Sequence, residues 1–499
     1  MGNQLFDLLF ASSDDRPFLT GPDMPVITRR MFMARANAMA AALAGAGLVK
    51  GDRLLAQIEK SADLVALYAA CLRLGVVFVP LNPAMPNEET MACLSETGAR
   101  FAVVAPDKLV RMRQMAAHLP VQLESLSHDA TGSFADLARQ ADSGPLPPVA
   151  GCGAADPAVI IQSSGRGLRR RGVVLTHGAL AGNTRAMVDL WAFGESDVLC
   201  HVLPLFHASG LTIALHCAAA SGAALWFLPR YDPQMLMAGL ARSTVLMAVP
   251  SHYTRLLSQR DCNRAGLAHM RLFLSGSAPL PADTHAAFAR ATGFDIHDRY
   301  ATTETGLVTG LPASQAHPHG HCGRPLPGVS LRITDDEGQP LPPGTTGHIE
   351  VQSPAIFAGY LGAAGFPADG WFATGDLGSL APDGTLSLIG QANDLIVAGG
   401  FTVDAAEVEA ALESIPDVRE SAVIGLPHPD WGETVVAIVV PASADAPDPE
   451  DLLASLGHGL ARFKLPRHLA YAESLPRNAM GRVQKAALRR QFADLLNDL

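Results

Sequence analysis

Helix-type and strand-type apolar patterns alternate along the first part of the chain. Within residues 28–49, apolar side chains recur at steps of four, three and four, which places them on one helical face: Phe32, Ala36, Met39 and Leu43. The next patterns are a strand at 54–58, a helix at 62–74 and a strand at 76–80. Alternation of this kind predicts stacked parallel sheets covered by helices, so the expected fold class is α/β.

Length and a change of pattern predict more than one domain. A chain of 499 residues is too long for one ordinary core. Short alternating strands between Gly and Pro turns begin near residue 330, and a compact α+β pattern begins at residue 394. We therefore expect a large N-terminal domain over 1–393, with a small β subdomain over 330–393, and a small α+β domain over 394–499.

Charge and cysteine usage restrict the compartment and the partners. A net charge of −11 argues against a broad surface for nucleic acid or anionic membrane. The seven scattered cysteines include no Cys-x-x-Cys pair, which is typical of reduced, mostly buried thiols. The N-terminus lacks the pattern of a secretory signal, and the apolar runs are too short to span a bilayer. We expect a cytoplasmic protein that binds neither nucleic acid nor membrane, as a monomer or a dimer.

A hydroxyl and a carboxylate follow each other at the end of a strand pattern. The stretch reads Asp298-Arg299-Tyr300-Ala301-Thr302-Thr303-Glu304-Thr305 and opens onto Gly306. Thr303 can donate to a phosphate oxygen, and Glu304 can hold Mg²⁺, a hard cation that prefers oxygen ligands. Taken alone, the same pattern is also typical of a polar loop end.

A loop between a strand and a helix is rich in glycine and arginine. It spans residues 163–172 and begins Ser163-Ser164-Gly165-Arg166. Backbone N–H groups in such a loop can hold phosphates, since glycine lets the chain approach closely, and Arg166 and Arg171 add positive charge. A solvated basic loop is the alternative interpretation.

Five stretches in order resemble the adenylate-forming acyl-CoA synthetase (ANL) superfamily. Besides 163–165 and 298–305, these are Trp371-Phe372-Ala373-Thr374-Gly375-Asp376, the run 394–401, and the run 476–485. The turn 274–280, Leu-Ser-Gly-Ser-Ala-Pro-Leu, and the run 475–478, Leu-Pro-Arg-Asn, are most similar to malonyl-CoA synthetases. The resemblance implies an ATP-dependent ligase that joins a small carboxylic acid, malonate or a substituted malonate, to coenzyme A. ATP, Mg²⁺ and coenzyme A are the expected cofactors, and an acyl-adenylate is the expected intermediate.

The resemblance also assigns roles to residues. The catalytic candidates are Arg482, Thr303, Glu304 (also the metal ligand) and His207. Nucleotide binding is expected at Ser163, Ser164, Gly165, Arg166, Arg171, Gly276, Ser277, Ala278, Asp298, Tyr300, Thr303, Asp376 and Gln391. The acid is expected to contact Arg255, Ser277 and Arg299 through its distal carboxylate, with Ala208 and Thr302 in the pocket wall. Coenzyme A is expected beside Gly399, Gly400 and Phe401, and Asp394 is the expected hinge of a mobile C-terminal domain.

Several positions depart from the family pattern. The phosphate loop has Arg166, Gly167 and Leu168 where the family has two threonines and a glycine. Gln391 replaces an arginine, and Arg482 replaces the lysine that acts in adenylation; nearby Lys485 is expected to be a surface lysine. A divergent homologue, weakly active or non-catalytic, that binds nucleotide or acyl-CoA is therefore an alternative, as is acyl transfer to a nucleophile other than coenzyme A.

Overall fold

The structure, a computed structural model, forms two compact units. It describes residues 2–22, 24–142, 144–163, 171–317, 319–363, 369–391, 395–398, 401–428, 432–443, 446–457, 460 and 462–496. The larger unit comprises Met1–Ser330 and Val351–Phe372, and the smaller unit comprises Leu331–Glu350 and Ala373–Leu499.

The α-helices lie mainly in the larger unit. They are α1 Gln4–Phe10, α2 Arg29–Gly45, α3 Ala62–Leu74, α4 Asn87–Thr97, α5 Pro106–Met115, α6 Ser133–Ala141, α7 His177–Leu190, α8 His216–Ser221, α9 Pro233–Leu240, α10 Pro250–Leu256, α11 Ala282–Thr292, α12 Ala405–Glu413, α13 Pro449–Gly457 and α14 Lys485–Gln491. A π-helical turn, Ser209–Leu215, leads into α8, and 3₁₀ turns occupy Arg462–Lys464 and Ala493–Leu496. The bounds of α3 are those predicted, because Ser61 caps its first turn and left-handed Gly75 ends it.

The strands form five sheets. They are β1 Pro17–Gly21, β2 Met24–Thr28, β3 Arg53–Gln57, β4 Val77–Pro80, β5 Phe101–Val104, β6 Gln122–Ser125, β7 Pro157–Gln162, β8 Gly172–Thr176, β9 Val198–His201, β10 Ala224–Phe227, β11 Val245–Ala248, β12 Leu272–Ser275, β13 Ile296–Asp298, β14 Tyr300–Thr302, β15 Gly306–Gly310, β16 Arg324–Pro325, β17 Ser330–Thr334, β18 Gly347–Gln352, β19 Gly359–Tyr360, β20 Phe372–Leu380, β21 Leu386–Gln391, β22 Leu395–Ala398, β23 Phe401–Asp404, β24 Val418–His428, β25 Gly432–Pro441 and β26 His468–Tyr471.

Two seven-stranded sheets organise the larger unit. The first sheet has the order β13-β12-β11-β9-β10-β1-β2, and the second has the order β19-β8-β7-β4-β3-β5-β6. The predicted α/β class is confirmed. Most strand pairs are parallel as expected, but β2 pairs antiparallel with β1, and β8 pairs antiparallel with both β7 and β19. The short connections β1–β2 and β7–β8 return the chain directly, which only antiparallel pairing allows.

The parallel strands of the first sheet place their carboxyl ends side by side. β9 and β10 end at His201 and Phe227, which are register partners, and β12 and β13 end at Ser275 and Asp298, also partners. In open α/β sheets, ligands bind outside this edge. The predicted site residues that follow these strands are therefore brought to one edge of the larger unit.

The smaller unit contains two sheets and three α-helices among its described residues. β17, β18, β20 and β21 form a four-stranded sheet. A second sheet, β23-β22-β25-β24, is antiparallel except for β26, which pairs parallel with β25, and it is covered by α12, α13 and α14. The long hairpin β24–β25 pairs Glu420 with Val440 and His428 with Gly432, and it carries most of this core.

Burial agrees with the expected thiol state. All seven cysteines are buried. Within the described ranges, no helix is long and apolar enough to cross a membrane.

Candidate active site

Arg299 is a buried cation between β13 and β14. It is 5% exposed, and a Cβ added at Gly276 would lie 3.0 Å from its guanidinium carbon, so the glycine makes room for the side chain. Burial lowers the pKa of Arg299 to about 10, although neighbouring Asp298 opposes this. Among the described residues, no carboxylate forms an ion pair with Arg299, and its Nε has no hydrogen-bond partner. An anionic ligand would supply the missing partner.

Asp298 lies at the end of β13. Burial raises the pKa of its carboxyl group to about 7, and the backbone N–H groups of Arg299 and Leu280 oppose the shift. The backbone nitrogen of Asp298 lies 3.1 Å from Nε2 of His317, and the same ring nitrogen lies 2.6 Å from the carbonyl oxygen of His321. The predicted nucleotide residue is therefore held by contacts that sequence spacing did not indicate.

A hydroxyl contact joins two of the predicted pocket loops. Oγ of Ser209 lies 2.9 Å from Oγ of Ser277, and Ser277 holds a left-handed backbone with φ of +73°. A non-glycine residue in this region stores about 1 kcal/mol or more of strain. Ala208 immediately precedes Ser209, and Ala278 follows Ser277, so the structure brings these predicted wall and nucleotide residues together.

Glu304 lies in the turn between β14 and β15. Its Oε1 accepts from the Tyr360 hydroxyl at 2.9 Å, and its backbone carbonyl accepts from the Phe357 N–H at 2.7 Å. The turn is closed by Thr302 and Thr305, whose hydroxyl oxygens are 3.0 Å apart. Tyr360, which the sequence analysis missed, thus holds the predicted metal ligand.

Two side-chain oxygens of this turn remain available to a ligand. Oε2 of Glu304 and the hydroxyl of adjoining Thr303 have no side-chain hydrogen bond in the described part of the chain. No group of three or more His, Cys, Asp or Glu side chains in that part could hold a metal ion by itself. One carboxylate with phosphate oxygens and water is the ligand set that Mg²⁺ ordinarily takes, so Glu304 fits the expected ion.

The phosphate loop is described at its two ends. The N–H of Ser163 donates to the carbonyl of Arg171 at 2.9 Å, and the guanidinium carbon of Arg171 lies 5.0 Å from the ring centre of Tyr360. Cation–π contact therefore links Arg171 to the side chain that binds Glu304. Residues 164–170, which include predicted Ser164, Gly165 and Arg166, lie outside the described residues.

The remaining acid-pocket candidates lie on neighbouring elements. Arg255, on α10, contacts Tyr231 with its guanidinium carbon 5.6 Å from the ring centre, whereas Arg299 packs against Gly276. His207 is half-buried against Phe206, with ring centres 4.7 Å apart, in the turn before the π-helical segment. Tyr300 is buried at the start of β14.

The smaller unit carries the other predicted nucleotide and coenzyme A residues. Asp376 is buried on β20, and its register partner on β21 is Gln391. In the β22–β23 hairpin, Ala398 pairs with Phe401. Gly399, Gly400 and Asp394, and the side chains of Gln391 and Phe401, lie outside the described residues.

Arg482 and Lys485 have different surroundings. Arg482 is half-buried on a turn in which its N–H donates to Oδ1 of Asn478 at 3.0 Å. The prediction that Lys485 is a surface lysine is wrong: its side chain is 13% exposed and pairs with Glu409 of α12 at 2.8 Å. Lys485 begins α14 and so joins two helices of the core, a contact between residues too far apart in the sequence for local pattern to indicate.

Comparison with known proteins agrees with this arrangement. Residues 10–361 match the AMP-binding enzyme family, and residues 407–482 match the AMP-binding enzyme C-terminal domain. An indoleacetate–CoA ligase of Aromatoleum aromaticum is 31% identical over 473 residues, 91% of each chain. A malonate–CoA ligase of Arabidopsis thaliana is 31% identical over 90% of this chain and 79% of its own. ATP-bound MatB from Rhodopseudomonas palustris superposes with a TM-score of 0.95, at 38% identity over 99% of this chain and 100% of that one.

The fold and the family matches define the class of the protein. The chain belongs to the AMP-binding enzymes, and the predicted membership of the adenylate-forming superfamily is confirmed. Both sequence relatives named above are CoA ligases, which supports an acid–thiol ligase with ATP and coenzyme A as substrates. Their acids differ, indoleacetate in one and malonate in the other, so family membership leaves the acid open.

Proposed function

We propose that the protein is an ATP- and Mg²⁺-dependent ligase that converts malonate, or a small 2-substituted malonate, into its CoA thioester. The observation that carries this proposal is Arg299, a buried guanidinium without a carboxylate partner among the described residues, beside the Gly276–Ser277 turn. A monocarboxylic acid would leave this charge unpaired, whereas the distal carboxylate of a diacid would neutralise it. Small Ala208 leaves room for a 2-substituent.

The proposed reaction has two steps. A carboxylate oxygen attacks the α-phosphorus of ATP, the bond from that phosphorus to the bridging oxygen breaks, and pyrophosphate leaves. The sulfur of coenzyme A, after losing its proton, then attacks the acyl carbon, and AMP leaves with the oxygen. Thr303 donates to a phosphate oxygen and Arg482 supplies positive charge at the reacting carboxylate. Glu304 would hold Mg²⁺, which would supply neutralisation of the phosphate charge.

The test is release of pyrophosphate and AMP across acetate, butyrate, malonate, methylmalonate and succinate. We expect malonate or methylmalonate to exceed butyrate in kcat/KM by roughly 100-fold, on the scale of one charged, buried pair. Arg299→Met should remove most of that preference. Arg29→Met is the matched control, since Arg29 is also buried but donates only to backbone carbonyls, and it should leave the preference unchanged. No product with any acid would refute the proposal.

A binding protein with little or no catalysis is the second candidate. Two observations favour it. Arg482 stands where the family has lysine, and Lys485 cannot replace that lysine because it pairs with Glu409. Calorimetric binding of malonyl-CoA or AMP, without turnover, would favour this candidate. A gain of pyrophosphate release in Arg482→Lys would instead show an active site that is weakened, because an ammonium reaches the carboxylate with different geometry from a planar guanidinium.

A further inference from the structure

Lys60 places an ammonium group at the carboxyl edge of the first sheet. It lies in the loop between β3 and α3, and its Nζ donates to the carbonyl of His201 at 2.8 Å. The same atom is 4.6 Å from the ring centre of Phe227. His201 and Phe227 are the last residues of β9 and β10, so the ammonium lies where ligands bind in such sheets.

This ammonium has no anionic partner within the described ranges. Adjacent Glu59 faces His128 instead, at 3.8 Å, and no carboxylate forms an ion pair with Lys60. Burial lowers the pKa of Lys60 well below its usual value. One of its three N–H groups is used by His201 and another can face the Phe227 ring, which leaves a donor without a partner. An anionic ligand beside this half-buried amine would favour its charged form.

Two further polar atoms, on segments that follow β10 and β11 at the same sheet edge, also lack partners. The rings of Tyr231 and His252 stack with centres 4.0 Å apart, and the Tyr231 hydroxyl and His252 Nδ1 are shielded from water without a hydrogen bond among the described residues. Burial, with Arg255 and Lys60, lowers the pKa of His252 to about 3. Lys60, Tyr231 and His252 therefore form a donor group at one sheet edge, in which each side chain keeps some hydrogen-bonding capacity without a partner among the described residues.

This donor group adjoins the predicted acid pocket. Arg255, the predicted partner of the distal carboxylate, contacts Tyr231. Nε2 of His201 donates to the carbonyl of Gly210 at 2.9 Å, and Gly210 follows Ser209, which contacts Ser277. The loop held by Lys60 is thus the one that carries the pocket wall.

We propose that Lys60, with the Tyr231 hydroxyl and His252 Nδ1, forms an anion subsite that receives the distal carboxylate of a dicarboxylic acid together with Arg255. The inference rests on the proposed function and adds a specificity-determining residue to it. Lysine is rare in this chain, which contains only five (50, 60, 108, 464 and 485) among its 37 Lys and Arg residues.

The first test compares Lys60→Met with wild type in pyrophosphate release. Met fills a similar volume without charge, so we expect KM for malonate to rise at least tenfold, with KM for ATP and coenzyme A unchanged and butyrate turnover undiminished. Lys108→Met is the control: Lys108 also has a pKa lowered by burial, but it donates to the carbonyls of Pro83 and Met85. The inference would be overturned by any of three results: an equal loss of activity with malonate and butyrate, an increase in KM for coenzyme A instead of malonate, or no change in KM for malonate.

The second test observes binding without turnover. Protein labelled with ¹³C at lysine Cε should give five resonances, and malonate should shift the one that is missing from Lys60→Met, whereas butyrate should not. If wild type releases no pyrophosphate but this resonance still responds to malonate, the proposed function fails and the subsite stands. If malonate is turned over and the Lys60 resonance does not respond, the subsite fails alone.

Discussion

At the residue scale, Arg171, Tyr360 and Glu304 form one chain of contacts. The aromatic ring lies under the guanidinium, and its hydroxyl donates to the carboxylate at 2.9 Å. Tyr360 is on β19, which pairs with β8 just after Arg171, so one short strand holds both ends of this chain. A positioning role for Tyr360 follows.

Tyr360→Phe is predicted to weaken the response to Mg²⁺. Without its hydroxyl, Glu304 loses a hydrogen bond to a charged group, about 2 kcal/mol, which corresponds to roughly tenfold or more in the Mg²⁺ concentration for half-maximal activity. Pyrophosphate release titrated with Mg²⁺ at saturating acid measures it. Tyr471→Phe removes a hydroxyl that donates to the Pro447 carbonyl in the smaller unit, and it should leave the titration unchanged. An unaltered Mg²⁺ curve in Tyr360→Phe would exclude the positioning role.

Residue identity predicted the charged groups of the site better than their partners. Arg299, Glu304 and Asp376 could be proposed because each stands in a recognisable run. Tyr360 and Lys60 could not, since their contacts join residues 56 and 141 positions apart and depend on how strands are ordered in a sheet. Lys485 was misjudged for the same reason.

At the element scale, the π-helical turn is packed against the strand end that precedes it. A Cβ at Gly210 would lie 2.0 Å from the carbonyl oxygen of Pro204, so no side chain fits while the turn keeps its position. By contrast, Gly182 is an exposed residue inside α7, and nothing lies within 4 Å of a Cβ added there. Close backbone packing therefore requires glycine at position 210 but not at position 182.

Substitution to alanine is predicted to have opposite effects on stability at Gly182 and Gly210. Gly182→Ala should stabilise the larger unit by about 1 kcal/mol, because alanine restricts the unfolded chain and favours helix. Gly210→Ala should destabilise it by about 2 kcal/mol or more through the backbone clash, and it should raise KM for the acid because Ser209 moves with the turn. Urea denaturation curves and acid titrations measure both. Equal stability of the two variants would contradict the packing described here.

Local sequence pattern predicted elements well where capping residues mark their ends. Capping by Ser61 and a left-handed glycine at Gly75 bound α3, and the predicted and observed limits agree. The strand pattern before the stretch 298–305 is observed as Ile296–Asp298, which begins after left-handed Gly293 ends α11. Antiparallel β19 was unpredictable: two residues of strand carry too little pattern, and their partner is far away along the chain.

At the scale of the whole molecule, buried neutral histidines link stability to pH. Burial lowers the pKa of His177 and His317 to about 4 and that of His216 to about 3. In the unfolded chain these rings take up protons near pH 6.5. Below that pH, the unfolded state binds protons that the folded state does not bind. The free energy of unfolding therefore falls with acidification until the folded rings also protonate. Asp298, whose pKa is raised to about 7, acts in the opposite direction.

The predicted slope is about 1.4 kcal/mol per pH unit for each such histidine, between roughly pH 6.5 and pH 4. Urea midpoints of the larger unit at pH 7.5, 6.0 and 5.0 measure it. His177→Gln should reduce the slope by up to the contribution of one proton, because both ring nitrogens of His177 are buried without partners among the described residues. His118→Gln, at an exposed position, should leave the slope unchanged. A profile that rises toward pH 5 would show that the carboxyl group dominates.

The buried thiols have a practical consequence for all of these measurements. Every cysteine is shielded, and burial raises the pKa of Cys200 to about 12 and that of Cys262 to about 11, so reactive thiolates are scarce on the protein. A disulfide dye added to samples withdrawn from the reaction would therefore meet the sulfhydryl of free coenzyme A and not the thiols of the catalyst. The coenzyme A that remains at each time can be read by colour, with native enzyme and no cysteine replacement.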